Sequence, residues 1–444
     1  MSEQTLDKMP PTVPYEAYQK RREKVLKAIG NGVALLFGGT SSPNLAYRFR
    51  QDSDFYYLTG VEQAEAILLL APQEKHPSVL FLPPKDKKKE QWEGPMIGPR
   101  DAKKLFFDRI LPLSNFEAYL EEALGRTNRL YYDFGLNPAN DQRIHRLIRK
   151  LQGKVREGSN YPSEFFSLRE LLWQMRLIKD KYELALIQYA SAAAAQAHRA
   201  AMMATRPKMK EYEVQAVLEY EYRRRGLWRN SYPPIVATGR NALILHYSQN
   251  SDTLRSGELL LVDSGADYRY YASDITRTFP VNGKFSEPQK EIYNLVLKAQ
   301  EAVISLIRPG VAFSALQEKA VQILTKGLIE LGILKGDWKK AVKSKTYRRF
   351  YMHNLGHWLG LDVHDVGRYR TQEGWRPLKR GMVLTVEPGL YIPVEKDIPK
   401  KYRGIGVRIE DDVYVNADGC KVLTNAAPKR VEEIEDLMKQ EWRP

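Results

Sequence analysis

The sequence predicts an α/β domain followed by an α+β domain whose two halves are related by an internal pseudo-twofold. Three observations carry that expectation. Strand-like and helix-like stretches alternate over the first 160 or so residues, the pattern of an α/β domain. Further on, the order helix, helix, strands occurs twice. A length of 444 residues fits two or three domains at about 100–200 residues each.

The elements follow in order. YEAYQKRREKVLKAIG (15–30) reads as a helix closed by Gly30. VALLF (33–37), AILLLA (66–71) and SVLFL (78–82) read as buried strands. RLYYDFG (129–135) is a further strand and DQRIHRLIRKLQG (141–153) a further helix. The boundary falls near LLWQMRLIKDKYE (171–183), where a new long helix begins, giving domains 1–176 and 177–444. KYELALIQYASAAAAQAHRAAMMA (181–204) is alanine-rich and strongly helical. EYEVQAVLEYEYRRRG (211–226) is a second helix with Gly226 at its end. Strand-like segments run from 234 to 281. The rhythm then repeats: Ser286 and Gln289 open a helix over 286–307 in a capping-box arrangement. Ser314 and Gln317 stand in the same relation at the head of 314–332, and strands run from about 380 to 416. The relation between the halves rests on element order, because their sequences are not obviously alike.

Composition narrows the class. Hydrophobic content of 43% suits a soluble globular protein, and the lone Cys420 excludes an intrachain disulfide framework. The polar start MSEQTLDKMP lacks the apolar core of a signal peptide. No run of about 18 apolar residues is present, so no membrane span is expected. A cytoplasmic location is therefore expected. The net charge of +15 raises the question of a polyanion partner. Residues 1–175 carry 26 basic and 22 acidic side chains, and 176–444 carry 43 and 32. The densest runs, KDKKKE (85–90) and RRR (223–225), are short. No RNP, KH or zinc-finger pattern accompanies them, so a solvated basic surface is the reading.

The chemistry lies in the carboxylates. In ELLLVDSGADYRYYASDITRTF (258–279), Leu259–Val262 is continuously apolar, as in a strand buried on both faces, and Asp263 ends it. An unpaired carboxylate buried there costs several kcal/mol, so Asp263 is protonated, paired with a cation or bound to a metal. A turn near Gly265–Arg269 folds the segment into a hairpin. Pairing symmetric about 268.5 sets Asp263 opposite Asp274, about 4.5–5.5 Å apart at Cβ. A divalent cation between them resolves the repulsion; the alternative makes one Asp a turn residue. VLTVEPGLYI (383–392) puts Val383, Thr385 and Glu387 on one strand face. GIGVRIEDDVYV (404–415) sets Ile405, Val407 and Ile409 against Gly406, Arg408 and Glu410. Glu410 is there either a ligand or a salt-bridge partner of Arg408.

HNLGHWLGLDVHD (353–365) holds three of the seven histidines. His353 and His357 are four apart, as in HExxH zinc helices, but Asn354 stands where that motif's glutamate would be. Gly356 and Gly360 argue for a loop or short strand, so at most one of the pair need be a ligand. His364 lies seven beyond His357. His246 alternates with Ile244 and Ala242 in a strand-like stretch, where a lone histidine is most often a satisfied core residue.

The order Asp263, Asp274, His357, Glu387, Glu410 resembles the dinuclear metallopeptidases of the pita-bread fold, which include methionine aminopeptidase, prolidase and aminopeptidase P. The surrounding residues match as well: DITRTFPVNGKFS (274–286), HNLGHWLGLDVHDVG (353–367), VEPGLYI (386–392) and GVRIEDD (406–412). FRQDSDFYYLTG (49–60) and EQWEG (90–94) look like the N-terminal domain of aminopeptidase P, so the resemblance covers essentially the whole chain. Small departures, PPIVATG (233–239) and Ala242, bear on fine substrate preference.

The resemblance implies a metal-dependent exopeptidase that releases the N-terminal residue from peptides with proline second, through attack of a metal-bridging hydroxide on the Xaa-Pro bond. It implies two divalent ions, most often Mn²⁺, about 3.5–4 Å apart. Asp263 is assigned to one metal, His357 and Glu387 to the other, with Asp274 and Glu410 bridging. His246, His353, His364, Tyr391 and Arg408 match positions beside the metals or the substrate, and Trp92 an N-domain residue that reaches an active site in the oligomer. Glu387 is expected to shuttle a proton to the leaving nitrogen, and His364 or His246 to steady the oxyanion. A homo-oligomer, dimer or tetramer, is expected. Prolidase and a non-catalytic pita-bread binding protein are the rivals; the second typically loses ligands that are all filled here.

Overall fold

The alternation in the N-terminal part is realised as one mixed sheet. In the computed structural model, which describes residues 9–40 and 49–443, the chain divides into two units. One is Thr12–Arg176; the other is Leu177–Pro444 together with the described residues ahead of Thr12. The first runs α1 (Tyr15–Ile29), β1 (Val33–Phe37), α2 (Ser53–Thr59), β2 (Ile67–Leu70), β3 (Ser78–Leu82), α3 (Lys87–Glu93), β4 (Arg109–Pro112), α4 (Phe116–Leu124), β5 (Arg129–Tyr131), α5 (Pro138–Gly153), β6 (Glu164–Phe166) and α6 (Leu168–Leu177). Its strands pair in the order β4-β3-β2-β1-β5-β6. The three apolar runs β1, β2 and β3 are antiparallel neighbours, and β4, β5 and β6 add in parallel. The edge strands β4 and β6 are short and open on charged residues, Arg109 and Glu164, so no long apolar run announces them. Asn137 caps α5 through the Ala139 and Asn140 amides. Ile144, Leu147, Ile148 and Leu151, one stripe at helical spacing, pack with Phe116 and Leu120 on Val33, Leu35 and Phe81.

The second unit opens as expected, with a new long helix that begins within 171–183: α6 stops at Leu177 and α7 (Lys181–Ala204) starts afresh. The cause is Asp180, whose carboxylate accepts the Tyr182 and Glu183 amides, while its own N–H donates to Glu183 Oε2. That capping box satisfies amides a continuous helix would not expose.

Then follow α8 (Glu211–Arg224), β7 (Arg229–Asn230), β8 (Ile235–Thr238), β9 (Leu259–Asp263), β10 (Ala266–Asp267) and β11 (Thr276–Pro280). The second half has α9 (Glu287–Ile304), α10 (Phe313–Glu330), α11 (Trp338–Lys343), the hairpin strands β12 (Arg370–Thr371) and β13 (Gly374–Trp375), β14 (Val383–Val386), β15 (Gly389–Tyr391), β16 (Gly406–Arg408), β17 (Asp411–Val415), β18 (Cys420–Val422) and α12 (Val431–Leu437). Helix, helix, sheet does recur: α7 and α8 precede the sheet β11-β9-β8, and α9 and α10 precede β14-β17-β18. At the head of α9 the Ser286 amide donates to Gln289 Oε1 as expected. At the head of α10 the expected box does not form. Ala312 is the cap, and Gln317 Oε1 instead accepts the Leu355 amide at 2.6 Å. An irregular segment has no ladder of its own to satisfy that N–H.

The halves are joined by a buried ion pair. Arg277 Nη2 and Asp411 Oδ1 are 2.7 Å apart, both side chains fully buried. Arg277 also donates to the carbonyls of Thr276, Glu410, Ala427 and Pro428. Asp411 also accepts from Thr424, Gln300 and Lys429. Burial alone would raise the Asp411 carboxyl, but Arg277 and Lys429 outweigh it and hold it well below the ordinary range. Breaking one partner leaves the other charge buried and uncompensated. Arg277→Ala is therefore expected to lower the unfolding free energy by about 3–5 kcal/mol. Urea denaturation with unchanged m-value checks this; a loss below about 1 kcal/mol would show the pair is not uncompensated on truncation.

Candidate metal centre

β9 is buried along its whole length and carries Asp263 out at its end. It lies between β8 and β11, so Asp263 faces Ile235 on one side and Thr276 on the other. The expected pairing of Asp263 with Asp274 is thus wrong by two residues. The turn is centred on Arg269 and Tyr270, both with positive φ, with Tyr268 and Tyr271 bridging it. Two positive-φ residues make a tight hairpin turn of the primed kind, which sequence inspection placed one residue early. A shift of two preserves side-chain parity, so both carboxylates still converge. Tyr232 links them: its hydroxyl lies 2.5 Å from Asp263 Oδ1 and 2.5 Å from Asp274 Oδ1.

The remaining donors arrive from the second half. Gly356 lets His357 reach the site: a Cβ there would sit 2.1 Å from the Thr385 carbonyl oxygen. The His357 amide donates to Thr385 Oγ1, and the Thr385 amide donates to the His357 carbonyl. His357 Nδ1 donates to the Trp358 carbonyl at 3.0 Å, which leaves Nε2 facing Asp274 Oδ2 at 3.3 Å and Glu387 Oε1 at 3.6 Å. Glu410 is buried and accepts the Thr276 hydroxyl at 2.7 Å. One ligand atom each from Asp274, His357 and Glu410 lie within 4.8 Å of one another.

Arg408 does not pair with Glu410. Its Nη2 reaches Asp263 Oδ2 at 2.5 Å, its Nε the Thr276 hydroxyl and its Nη1 the Tyr391 hydroxyl. Tyr391 in turn donates to His353 Nε2 at 2.9 Å, because His353 Nδ1 is given to the Asn354 carbonyl. Tyr391 therefore sits behind His353, only 2% exposed. His364 stacks edge-on to His357 with ring centroids 4.3 Å apart. His246 is not on a strand and is not a core residue: residues 239–243 form a 3₁₀ turn, and His246 is exposed in the loop beyond it. Its alternation with Ala242 and Ile244 was not a strand period. The five ligand candidates, the three histidines His246, His353 and His364, and Arg408 line one cavity of about 650 Å³, with Pro233, Ile235, Leu245, Tyr247 and Val363 as its apolar wall, whereas Tyr391 does not line it. Trp92 belongs to the other unit, 87% exposed on α3.

Sequence reasoning missed Tyr232 and Asp412. Tyr232 stands immediately before the PPIVATG stretch whose Ile235 pairs with Asp263, and that proximity was the available signal. Asp412 is buried and receives the Asp274 amide and the Ser191 hydroxyl. It thus orients a predicted ligand through its backbone.

Burial raises the Glu387 carboxyl to about 8, with Asp274 adding repulsion against the attraction of His357. Burial and then the charges of Asp274 and Glu387 push Glu410 well above its ordinary range. Burial lowers His357, but its hydrogen bond to Asp274 and the charge of Glu387 win and bring it to about 9. His353 is lowered to about 4 by burial and by Arg408. Protons are held where compensating positive charge is required. Buried oxygen donors around one imidazole whose Nε2 faces the carboxylates are a hard ligand set, and the residues fit a divalent cation.

Residues 185–417 match metallopeptidase family M24, and residues 18–131 match the aminopeptidase P N-terminal domain. The Xaa-Pro aminopeptidase of Haemophilus influenzae is 42% identical over 96% of this chain and 98% of its own. The structure of Pseudomonas aeruginosa aminopeptidase PepP superposes with a TM-score of 0.93 at 43% identity, covering 96% of this chain and 98% of that one. Zinc-substituted Escherichia coli aminopeptidase P in complex with product gives 0.92 at 39%, covering 97% and 99%.

Ligands must lose their protons to bind metal. At pH 7 groups held at about 8 and about 9 are protonated, so cation binding to metal-free protein is expected to release about one proton or more per chain. Calorimetric titration with Mn²⁺ in buffers of different ionisation enthalpy measures this; buffer-independent heats would contradict it. Tyr232→Phe is expected to weaken Mn²⁺ binding about 10–100-fold, as loss of a partner that orients ligands does. An unchanged dissociation constant would remove Tyr232 from that role.

Proposed function

Because the chain belongs to metallopeptidase family M24 and carries the aminopeptidase P N-terminal domain, we propose that it is an Xaa-Pro aminopeptidase. It hydrolyses peptides, releasing the N-terminal residue ahead of a proline. The observation that carries this is the grouping of Asp274, Glu387 and Glu410 around His357, with Asp263 joined to Asp274 through Tyr232, all lining one cavity.

Two divalent cations, with Mn²⁺ as the proposed ion, would be held by Asp263 on one side, His357 and Glu387 on the other, and Asp274 and Glu410 between. When bound, such ions supply a water that ionises near neutral pH and a Lewis acid for the scissile carbonyl. The protein supplies the rest. Glu387 would take a proton from the attacking water at its carboxylate and pass it to the proline nitrogen as the bond opens. That nitrogen is tertiary, so it needs the proton delivered from one side. His364 or His246 donates to the oxyanion from the cavity wall. The chain Arg408 to Tyr391 to His353 keeps the His353 imidazole fixed and neutral, ready to contact the downstream peptide. Tyr391 thereby acts through His353. The substrate's α-amino group lies beside Asp263, which limits cleavage to one residue.

Further parts of the reading rest on resemblance. Residues 1–176 and 177–444 are taken as the two domains, and Trp92 as a substrate contact in a dimer or tetramer. No helix among the described residues is long and apolar enough to cross a membrane. With Cys420 free, a cytoplasmic location is proposed.

Chelation is expected to abolish hydrolysis of Xaa-Pro-Xaa peptides and Mn²⁺ to restore it. No recovery with any divalent ion would remove the proposal. Asp263→Ala and Glu410→Ala are each expected to lose metal-dependent release of the first residue. Wild-type rates in either variant would overturn the ligand assignment.

A further inference from the structure

Glu211, the first residue of α8, is fully buried and lies outside the ligand set. Its carboxylate is saturated by one segment of chain. Oε1 accepts the Thr238 amide at 2.8 Å and Asn241 Nδ2 at 3.0 Å. Oε2 accepts the Tyr247 hydroxyl at 2.8 Å and the Asp252 amide at 2.9 Å. These donors sit at both ends and in the middle of the loop that leaves β8, and the same loop carries Leu245, His246 and Ser248 into the cavity.

The loop has no sheet partner for His246, so its shape must come from such bonds. Asn250 adds to them: it accepts the Val236 amide and donates to the Pro234 carbonyl and to Gln215. Below the loop, a Cβ at Gly406 would lie 2.6 Å from the Ala242 carbonyl oxygen, so the loop rests directly on the strand that carries Arg408. Tyr247 packs with Ile235, Leu261 and Tyr391.

We propose that Glu211 is a positioning residue, which clamps residues 238–252 so that His246 is presented to the bound peptide. It touches neither substrate nor metal and acts only through the loop. Glutamine has the right shape and the wrong chemistry. Tyr247 can rotate its hydroxyl to accept, and Asn241 can turn its amide. Whichever way the Gln amide is set, however, a backbone N–H, that of Thr238 or of Asp252, faces a second donor. The clamp thus needs a carboxylate, with two acceptor oxygens.

The kinetic arm of the test rests on the aminopeptidase reading; the exchange arm does not. In the metal-loaded, full-length protein, Glu211→Gln is expected to speed amide hydrogen exchange in 238–252 and lower kcat/KM for an Xaa-Pro-Xaa peptide, each by about tenfold or more. Mn²⁺ affinity is expected to stay within about twofold, because the ligands are elsewhere. In a His246→Ala background the same substitution should cost less than about threefold further in kcat/KM, since the two act as one unit. A merely stabilising Glu211 would give additive losses. Tyr247→Phe removes one bond without opposing donors. It serves if Glu211→Gln does not fold, with a smaller loss of about threefold that again disappears beside His246→Ala. Unchanged exchange in 238–252, or full additivity with His246→Ala, would overturn the proposal. A wild-type protein inert toward Xaa-Pro peptides would instead strike the functional reading and leave the exchange result standing.

Discussion

Negative charge gathered where water cannot solvate it is the constraint on which the second domain is built. Asp263, Asp274, Glu387 and Glu410 line one cavity, and three of them are among the buried residues. Carboxylates in that position repel each other and pay desolvation as well. The Tyr232 hydroxyl between the aspartates, the Thr276 hydroxyl on Glu410 and the Arg408 guanidinium on Asp263 offset part of that cost. The raised carboxyls of Glu387 and Glu410 and the raised imidazole of His357 reflect the remainder. The same destabilisation that would unfold a smaller scaffold makes the site bind metal, because a cation relieves repulsion at every ligand at once.

A scaffold able to hold such a cluster has to be stiff, and the stiffness is backbone-borne. Asp274 is held by Asp412 through its amide, His357 by Thr385, Glu410 by its amide to the Thr276 carbonyl. Each ligand is thus fixed by a bond that does not use its ligating atoms. The Arg277–Asp411 pair binds β11 to the segment that carries Glu410. The floor of the site is therefore continuous across the two halves. On the opposite wall the loop of His246 has no such ladder, and a buried carboxylate at the head of α8 replaces it.

Much of this was legible in sequence, for identifiable reasons. Continuous apolar runs gave the first three strands of the N-terminal sheet, because strands buried on a face cannot tolerate polar residues. Asp263 stood out because it ends such a run. Gly356 marked a loop because only a residue without Cβ can lie against the Thr385 carbonyl. Errors came where a local pattern competed with a distant partner. Gln317 has the spacing of a capping box and serves Leu355 instead. His246 alternates with apolar residues and lies in a turn. Where spacing left two readings open for Glu410, the structure chose between them, because Arg408 pairs with Asp263, 145 positions away.

Residue type and spacing by themselves determined the two-part plan, the helix-helix-sheet recurrence and the prominence of Asp263 at the end of an apolar strand, which follow from local burial periodicity and the cost of a buried charge; the full set of five ligand candidates came from the resemblance of the motifs to a family. Only the tertiary structure decided the hairpin register, the role of Tyr232 between the aspartates, the placing of Tyr391 behind His353, and the clamp of Glu211 on the His246 loop. The register was set by the backbone conformation at Arg269 and Tyr270; each of the others is a hydrogen bond between segments well separated in the chain, and a hydrogen bond's partner is chosen by geometry within about 3 Å, which no spacing along the sequence encodes.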